Sequence, residues 1–163
     1  MFHPDPDYPL CHDEVLDPPL KLRKGVLPAA RKFKALEPWK GTLEQRIVKF
    51  LWVVNELSKV YGIKPPVIHS DNVDPDEPSD GSYYQPMTHA IYLRGRLSVI
   101  TLLHEFAHSL GRNEYGACRW SLCVFKRAFP KQWNRLVWRG HVARRRVRGS
   151  HPSTTLKEVS KML

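Results

Sequence analysis

The segment SVITLLHEFAHSLGRNE, residues 98–114, carries the strongest local signals in the chain. Ser98 is a suitable helix N-cap, the residues that follow it are mostly apolar, and Gly111 is placed to end the helix. Apolar residues on several faces are typical of a deeply buried helix. We therefore expect a buried helix over 99–110, and a further helix that begins near Asn113.

Two histidines and a glutamate lie within this predicted helix. His104 and His108 are four residues apart, so their side chains differ by about 40° around the axis and project from one face. Neutral imidazole is a natural zinc ligand. Glu105 lies beside that face, where its carboxylate can take a proton from a metal-activated water without replacing it. The pattern predicts a hydrolytic zinc centre with two ligands and a catalytic base.

A hydrolytic zinc site needs a third protein ligand, and Glu114 is the predicted one. In a continuous helix it would lie about 9 Å further along and roughly 120° round from His108, out of reach. Gly111 can adopt the left-handed conformation that turns the chain back, and Asn113 can then cap a helix with Glu114 in its first turn. The alternative third ligands are His12, His89, His141 and Cys118.

Residues 82–128 resemble the zincin metallopeptidases. The segment with His104-Glu105-x-x-His108 looks like the zincin active-site helix, and Ala90-Ile91-Tyr92-Leu93 resembles the strand that lies at the sheet edge over the zincin cleft. Asn113-Glu114 is similar to the Asn-Glu of gluzincins such as thermolysin, whose Glu is the third ligand. The short chain resembles the minimal gluzincins, which keep only the catalytic core.

Two departures leave the subclass open. Residues 104–114 also read His-Glu-x-x-His-x-x-Gly-x-x-Glu, which is similar to the metzincin motif with Glu in place of its third His. Metzincins need a methionine turn, and the only downstream methionine here is Met162. Thermolysin-like gluzincins place an Asp four residues after the ligand Glu, to support a zinc-bound His. Cys118 occupies that position, so the supporting carboxylate is missing or supplied elsewhere.

The resemblance implies an α+β fold. We expect a minimal zincin-like core with a small mixed β-sheet, a backing helix, an active-site helix and a helical C-terminal half. The implied activity is that of a zinc metalloendopeptidase with Glu105 as general base. By the same analogy, a substrate peptide would add as a strand along His89, Ile91 and Leu93. The candidate donors to the oxyanion are Tyr92, Tyr115 and His141.

Other segments predict the surrounding elements. Thr42 and Gln45 match a capping box, and the apolar spacing from Leu43 to Tyr61 is that of an amphipathic helix. We expect short strands at 67–69 and within 82–93, separated by an acidic loop over 71–81. A helix should run on to about residue 128. A fourth should open at Pro130, with Trp133, Leu136 and Val137 on its inner face.

The chain has 163 residues, 42% of them hydrophobic, which is enough for one core. We predict a Pro-rich extended arm over 1–40, a catalytic domain over 41–139 and a basic, flexible tail over 140–163. No apolar run is long enough to cross a bilayer, and the N-terminus does not read as a signal peptide. Three cysteines without regular spacing favour a reducing, cytoplasmic location. Cys11 or His12, in the arm, could block the open zinc position and make a latent enzyme.

Charge is divided unevenly along the chain. The net charge is +10, with a balance of −1 up to Glu114 and +11 from Tyr115 onward. Such a basic region suits nucleic acid or an acidic partner, and it predicts an alternative function. In that alternative, the protein is a catalytically inactive zinc-containing regulator that binds DNA or a partner. The candidate contacts are Arg139, Arg144, Arg145, Arg146 and Arg148.

Two enzyme families bear on these alternatives. A basic region would suit a protease of DNA-bound proteins, as SprT-like enzymes are, but their third His further downstream is not found here. Peptide deformylase uses the same His-Glu-x-x-His pattern on another bond. Its cysteine ligand comes from an upstream segment that nothing before His104 matches.

Overall fold

The computed structural model describes residues 19–79, 81–139 and 142–145. Its helices are α1 (Val26–Ala35), α2 (Leu43–Tyr61), α3 (Val99–Ser109), α4 (Glu114–Ala128) and α5 (Pro130–Trp133). Its strands are β1 (Val67–Val73), β2 (Tyr83–Gln85), β3 (Ala90–Gly95), β4 (Leu136–Arg139) and β5 (Val142–Arg145). The predicted α+β class with a small mixed sheet is confirmed. None of the described helices has the length and apolar character needed to cross a membrane.

Helix α2 forms as its sequence predicts. The Thr42 hydroxyl accepts a hydrogen bond from the Gln45 backbone N–H at 3.3 Å, and the Gln45 side chain accepts one from the Thr42 N–H at 2.9 Å. This reciprocal capping satisfies two N–H groups that the first turn leaves without helical partners. Phe50, Val54 and Leu57 are buried on the inner face of the helix. The predicted start and end of this helix are therefore confirmed, whereas Leu51, which has the same apolar spacing, is 40% exposed.

The predicted extended arm over 1–40 is wrong for residues 26–35, which form α1. Val26, Ala30 and Phe33 are fully buried, and the Phe33 ring packs edge-on against Phe50 with 5.6 Å between centroids. Pro28 does not prevent the helix, because it lies in the first turn, where the missing N–H would have no helical acceptor. Residues 1–18 of the predicted arm lie outside the described residues.

The three-stranded sheet has the order β1-β3-β2. Strand β3 pairs in parallel with β1 and antiparallel with β2, so it lies at the centre of the sheet. Ile91 and Leu93 are 0% and 4% exposed and join the core that α3 also enters. Strand β1 continues to Val73, so the predicted acidic loop over 71–81 begins later than expected.

The predicted helical C-terminal half is wrong beyond Trp133. Strand β4 follows α5 and pairs antiparallel with β5, with Arg139 opposite Val142 across a two-residue connection. Val137 and Trp138 are β-branched and aromatic residues, which favour strands over helices. The predicted boundary between domain and tail at 139/140 therefore divides a hairpin. Residues 140, 141 and 146–163 of the predicted tail lie outside the described residues.

Gly95 provides a stability test of the loop that precedes β2. Its φ is +59°, and an added Cβ would lie only 1.8 Å from the carbonyl oxygen of Pro78. Gly95→Ala should therefore add a steric conflict with backbone to the roughly 1–2 kcal/mol that a left-handed alanine costs. We expect urea unfolding to show a loss of about 3 kcal/mol or more in the free energy of unfolding.

Gly62→Ala is the matched control for that measurement. Gly62 also has a left-handed φ, +66°, but nothing lies within 4 Å of its added Cβ. The control should lose only the conformational contribution of roughly 1–2 kcal/mol. Equal losses in the two variants would show that the loop moves freely away from Gly95.

Candidate metal centre

Helix α3 ends in the reversal that the sequence predicts. The Ser98 hydroxyl caps its start by accepting a hydrogen bond from the Thr101 N–H at 3.3 Å. At its end Gly111 adopts φ +80°, and the Arg112 N–H turns back to the Ala107 carbonyl at 3.3 Å. The Asn113 side chain then accepts a hydrogen bond from the Gly116 N–H at 2.9 Å and caps α4. Glu114 is consequently the first residue of α4.

Three side chains converge at this reversal. The Nε2 atoms of His104 and His108 are 3.0 Å apart. One carboxylate oxygen of Glu114 lies 3.3 Å from Nε2 of His104, and the other lies 3.1 Å from Nε2 of His108. His104 is buried, whereas the Glu114 side chain is 49% exposed, so the group opens to solvent on the Glu114 side. These three residues are close enough to hold one metal ion.

Hydrogen bonding fixes the tautomer of His108. Its Nδ1 lies 2.9 Å from the carbonyl oxygen of Arg112, and a carbonyl only accepts hydrogen bonds. Nδ1 therefore carries a proton, and Nε2, which lies near His104 and Glu114, is the ring atom that can bind a metal or, when protonated, donate to Glu114. The turn at Gly111 thus positions both a carboxylate and the acceptor that orients a histidine.

The charges of the cluster favour a bound cation. Hydrogen bonds from His104 and His108 hold the pKa of Glu114 well below its usual range, against the opposing effect of burial. Burial lowers the pKa of His108, but its hydrogen bonds with Glu114 and the Arg112 carbonyl outweigh that effect and raise it. Glu114 therefore stays ionised near neutral pH and attracts positive charge, either a proton on His108 or a metal ion.

Glu105 lies beside the histidines in a different environment. The residue is only 6% exposed, and burial raises the pKa of its carboxyl above the usual value, although the two histidines oppose the shift. The backbone of β2 at Tyr84 also acts on this carboxyl and lowers its pKa, but less strongly than burial raises it. A carboxylate with raised proton affinity is suited to accept a proton.

Cys118 and His89, the two described alternatives to Glu114 as third ligand, make other contacts. Cys118 Sγ lies 3.5 Å from Nδ1 of His104, on the ring edge opposite the Nε2 that faces Glu114. Both ring nitrogens of His89 are engaged, one with the Tyr84 hydroxyl at 2.8 Å and the other with the Lys64 carbonyl at 2.7 Å. His12 and His141, the other two alternatives, lie outside the described residues.

The predicted substrate strand along His89, Ile91 and Leu93 is wrong. Ile91 is paired on one side with Ile68 of β1 and on the other with Tyr84 of β2. A peptide cannot add to a strand whose two edges are already hydrogen-bonded. Ile91 and Leu93 are also buried in the core. Strand β2 lies at the edge of the sheet instead, next to Glu105.

The predicted oxyanion donors have different outcomes. Tyr92 alternates with the buried Ile91 and lies on the opposite face of the sheet, where it stacks between His69 and Tyr83 with centroids 4.5 and 4.9 Å away. Its predicted role is therefore wrong. Tyr115 follows Glu114 in the first turn of α4 and is 38% exposed, so its role stays a prediction. His141 lies outside the described residues.

The predicted arginine contacts are only partly described. The backbone places Arg139 on β4 opposite Val142, and Arg144 and Arg145 on β5. Arg146 and Arg148 lie outside the described residues. Nucleic-acid binding by this region therefore stays a prediction.

The residue that the sequence pattern missed is Tyr84. His89 donates from Nε2 to the Lys64 carbonyl, so its Nδ1 accepts a hydrogen bond from the Tyr84 hydroxyl. The backbone at Tyr84 also acts on the Glu105 carboxyl and lowers its pKa. Nothing in the spacing of residues 82–93 indicates this link, because it depends on how β2 packs against α3.

Comparisons with protein-family models, curated proteins and solved structures found no match for the chain. A functional proposal therefore rests on the sequence pattern and on the geometry of this site.

The buried carboxylate of Glu105 predicts a stability gain when its charge is removed. Because the folded-state pKa is raised, ionisation of Glu105 costs folding free energy above the unfolded-state pKa, and the cost disappears at lower pH. Glu105→Gln should therefore raise the free energy of unfolding of the metal-free protein at pH 7.5, because the substitution removes a charge that burial disfavours. Urea unfolding in excess chelator measures the effect.

The gain should shrink toward zero near pH 4, where the unfolded-state carboxyl is also protonated. Glu77→Gln is the matched control, because Glu77 is exposed on the surface, and it should change little at either pH. A pH-independent effect of Glu105→Gln would show that the substitution acts through packing or hydrogen bonding rather than charge.

Proposed function

We propose that this protein is a zinc-dependent metalloendopeptidase, with His104, His108 and Glu114 as ligands and Glu105 as general base. The proposal is carried by the convergence of two Nε2 atoms and one carboxylate beside a buried Glu105. Zinc bonds of about 2.0–2.1 Å in a tetrahedron separate neighbouring ligand atoms by about 3.3 Å. The two Nε2 atoms are 3.0 Å apart and each lies 3.3 or 3.1 Å from a different Glu114 oxygen, so the three residues could bind one such ion.

The chain supplies the proton transfers of the proposed reaction. Zinc, when bound, would polarise the scissile carbonyl and acidify the attacking water. Glu105 accepts the proton from that water and later donates it to the leaving amine nitrogen. The raised pKa of Glu105, caused mainly by burial, favours the first transfer. Solvent access on the Glu114 side leaves room for substrate.

An extended peptide is the proposed substrate form, and β2 is its proposed docking edge. Within the described residues β2 pairs only with β3, and its other edge has no strand partner. A peptide added along that edge would run next to the strand whose backbone at Tyr84 influences the pKa of the proposed base.

Metal content tests the proposed ligands. Purified wild type should contain about one zinc per chain by plasma mass spectrometry. Glu114→Ala should lose most of it, because two imidazoles alone form an incomplete site. Glu77→Ala, with the same loss of a carboxylate on the surface, should retain wild-type zinc. Zinc retained equally in all three proteins would contradict the role of Glu114, and zinc absent from folded wild type would contradict the whole proposal.

Hydrolysis of an unfolded protein substrate tests the proposed base. Glu105→Gln should retain zinc but lose about 10²- to 10⁴-fold in activity, because the amide cannot accept the proton. Mass spectrometry of the fragments identifies the bonds cleaved, and Glu77→Gln serves as the control. Wild-type protein that binds zinc but cleaves no peptide would instead favour the zinc-containing regulator that binds DNA or a partner.

A further inference from the structure

His104 is contacted on both of its ring nitrogens by residues of α4. Nε2 lies 3.3 Å from Glu114, and Nδ1 lies 3.5 Å from the Sγ atom of Cys118. Glu114 and Cys118 are four residues apart, so they project from the same face of α4. Cys118 is 5% exposed, which limits competition from water for this contact. Two residues on one face of α4 therefore contact the two ring nitrogens of the same imidazole.

We propose that Cys118 is a positioning residue that fixes the tautomer and ring orientation of His104 for metal binding. This inference rests on the proposed metal centre. A neutral imidazole whose Nε2 lone pair binds a metal carries its proton on Nδ1, and that N–H then donates to Cys118 Sγ. The other histidine has the equivalent support from the backbone carbonyl of Arg112.

The strength of this hydrogen bond depends on which acceptor stands at position 118. A thiol is a weak hydrogen-bond acceptor, whereas a carboxylate is a strong, charge-assisted one. Cys118 should consequently orient His104 without making it as basic a ligand as a carboxylate would. Replacing the thiol by a carboxylate of suitable reach should then tighten metal binding, and removing the acceptor should weaken it.

A merely structural role for Cys118 makes different predictions. Cys118 also packs with Leu122, Ile100 and Trp133 in a small apolar cluster. If it only filled space there, its truncation would lower stability without a specific effect on zinc affinity. Cys118→Ala and Cys118→Ser separate the two roles, because alanine and serine have almost the same volume but only serine carries an acceptor.

The test measures zinc dissociation constants by competition with a chelator of known affinity. The proteins are full-length wild type, Cys118→Ala, Cys118→Ser and Cys118→Asp, each checked for folding by circular dichroism. Cys123→Ala is the matched control, because Cys123 is a second buried thiol on α4 whose Sγ contacts the Leu20 carbonyl rather than the site. A second readout is the exchange rate of the His104 Nδ1–H in zinc-loaded protein, by nitrogen-15 NMR.

We expect Cys118→Ala to bind zinc about tenfold more weakly and to exchange the Nδ1 proton faster. Cys118→Ser should lie closer to wild type, Cys118→Asp should bind more tightly than wild type, and Cys123→Ala should match it. Equal zinc affinity in wild type and Cys118→Ala would overturn the inference while leaving the metal centre intact. Folded wild type that takes up no zinc would overturn both. If Cys118→Ala does not fold, a Cys118→Asp affinity no higher than wild type overturns the inference.

Discussion

The reversal of the chain at Gly111 is the constraint on which the candidate metal centre depends. Nothing lies within 4 Å of a Cβ added there, so the requirement for glycine comes from its backbone conformation, φ +80°. The turn closes when the Arg112 N–H bonds to the Ala107 carbonyl, and the Arg112 carbonyl then meets Nδ1 of His108. One local conformation thus brings in Glu114, orients His108 and starts the helix that carries Cys118.

Helix α3 has a polar face whose burial opposes folding and an apolar face that packs in the core. Burial of Glu105 and the close approach of two imidazoles oppose folding of the metal-free chain, because charged and polar groups lose solvation there. Leu102, Leu103 and Phe106 of the same helix are at most 1% exposed, and the Phe106 ring packs near those of Tyr61 and Trp120. The core therefore holds in place the helix that carries His104, Glu105 and His108.

The sequence predicts what is local and misses what depends on tertiary packing. The capping box of α2 and the order of helix, Gly111 turn and Asn113 cap were predicted because each is decided within a few residues. Helix α1 was missed because its burial depends on Phe33 packing against Phe50 and Phe129, far along the chain. The central position of β3 was likewise missed, because the order of strands in a sheet depends on tertiary pairing and not on the residues of one strand. The convergence of the proposed ligands was predictable for the opposite reason, since they lie within eleven residues.

The turn before β3 contains His89, which links the sheet to Tyr84 of β2. His89 is one of two described non-glycine residues with a positive φ, at +50°, a conformation that costs roughly 1 kcal/mol or more. It is held there because its ring bridges the Lys64 carbonyl and the Tyr84 hydroxyl. The backbone at Tyr84 in turn acts on the Glu105 carboxyl and lowers its pKa. The strained turn therefore holds in place the β2 residue whose backbone influences the pKa of the proposed base.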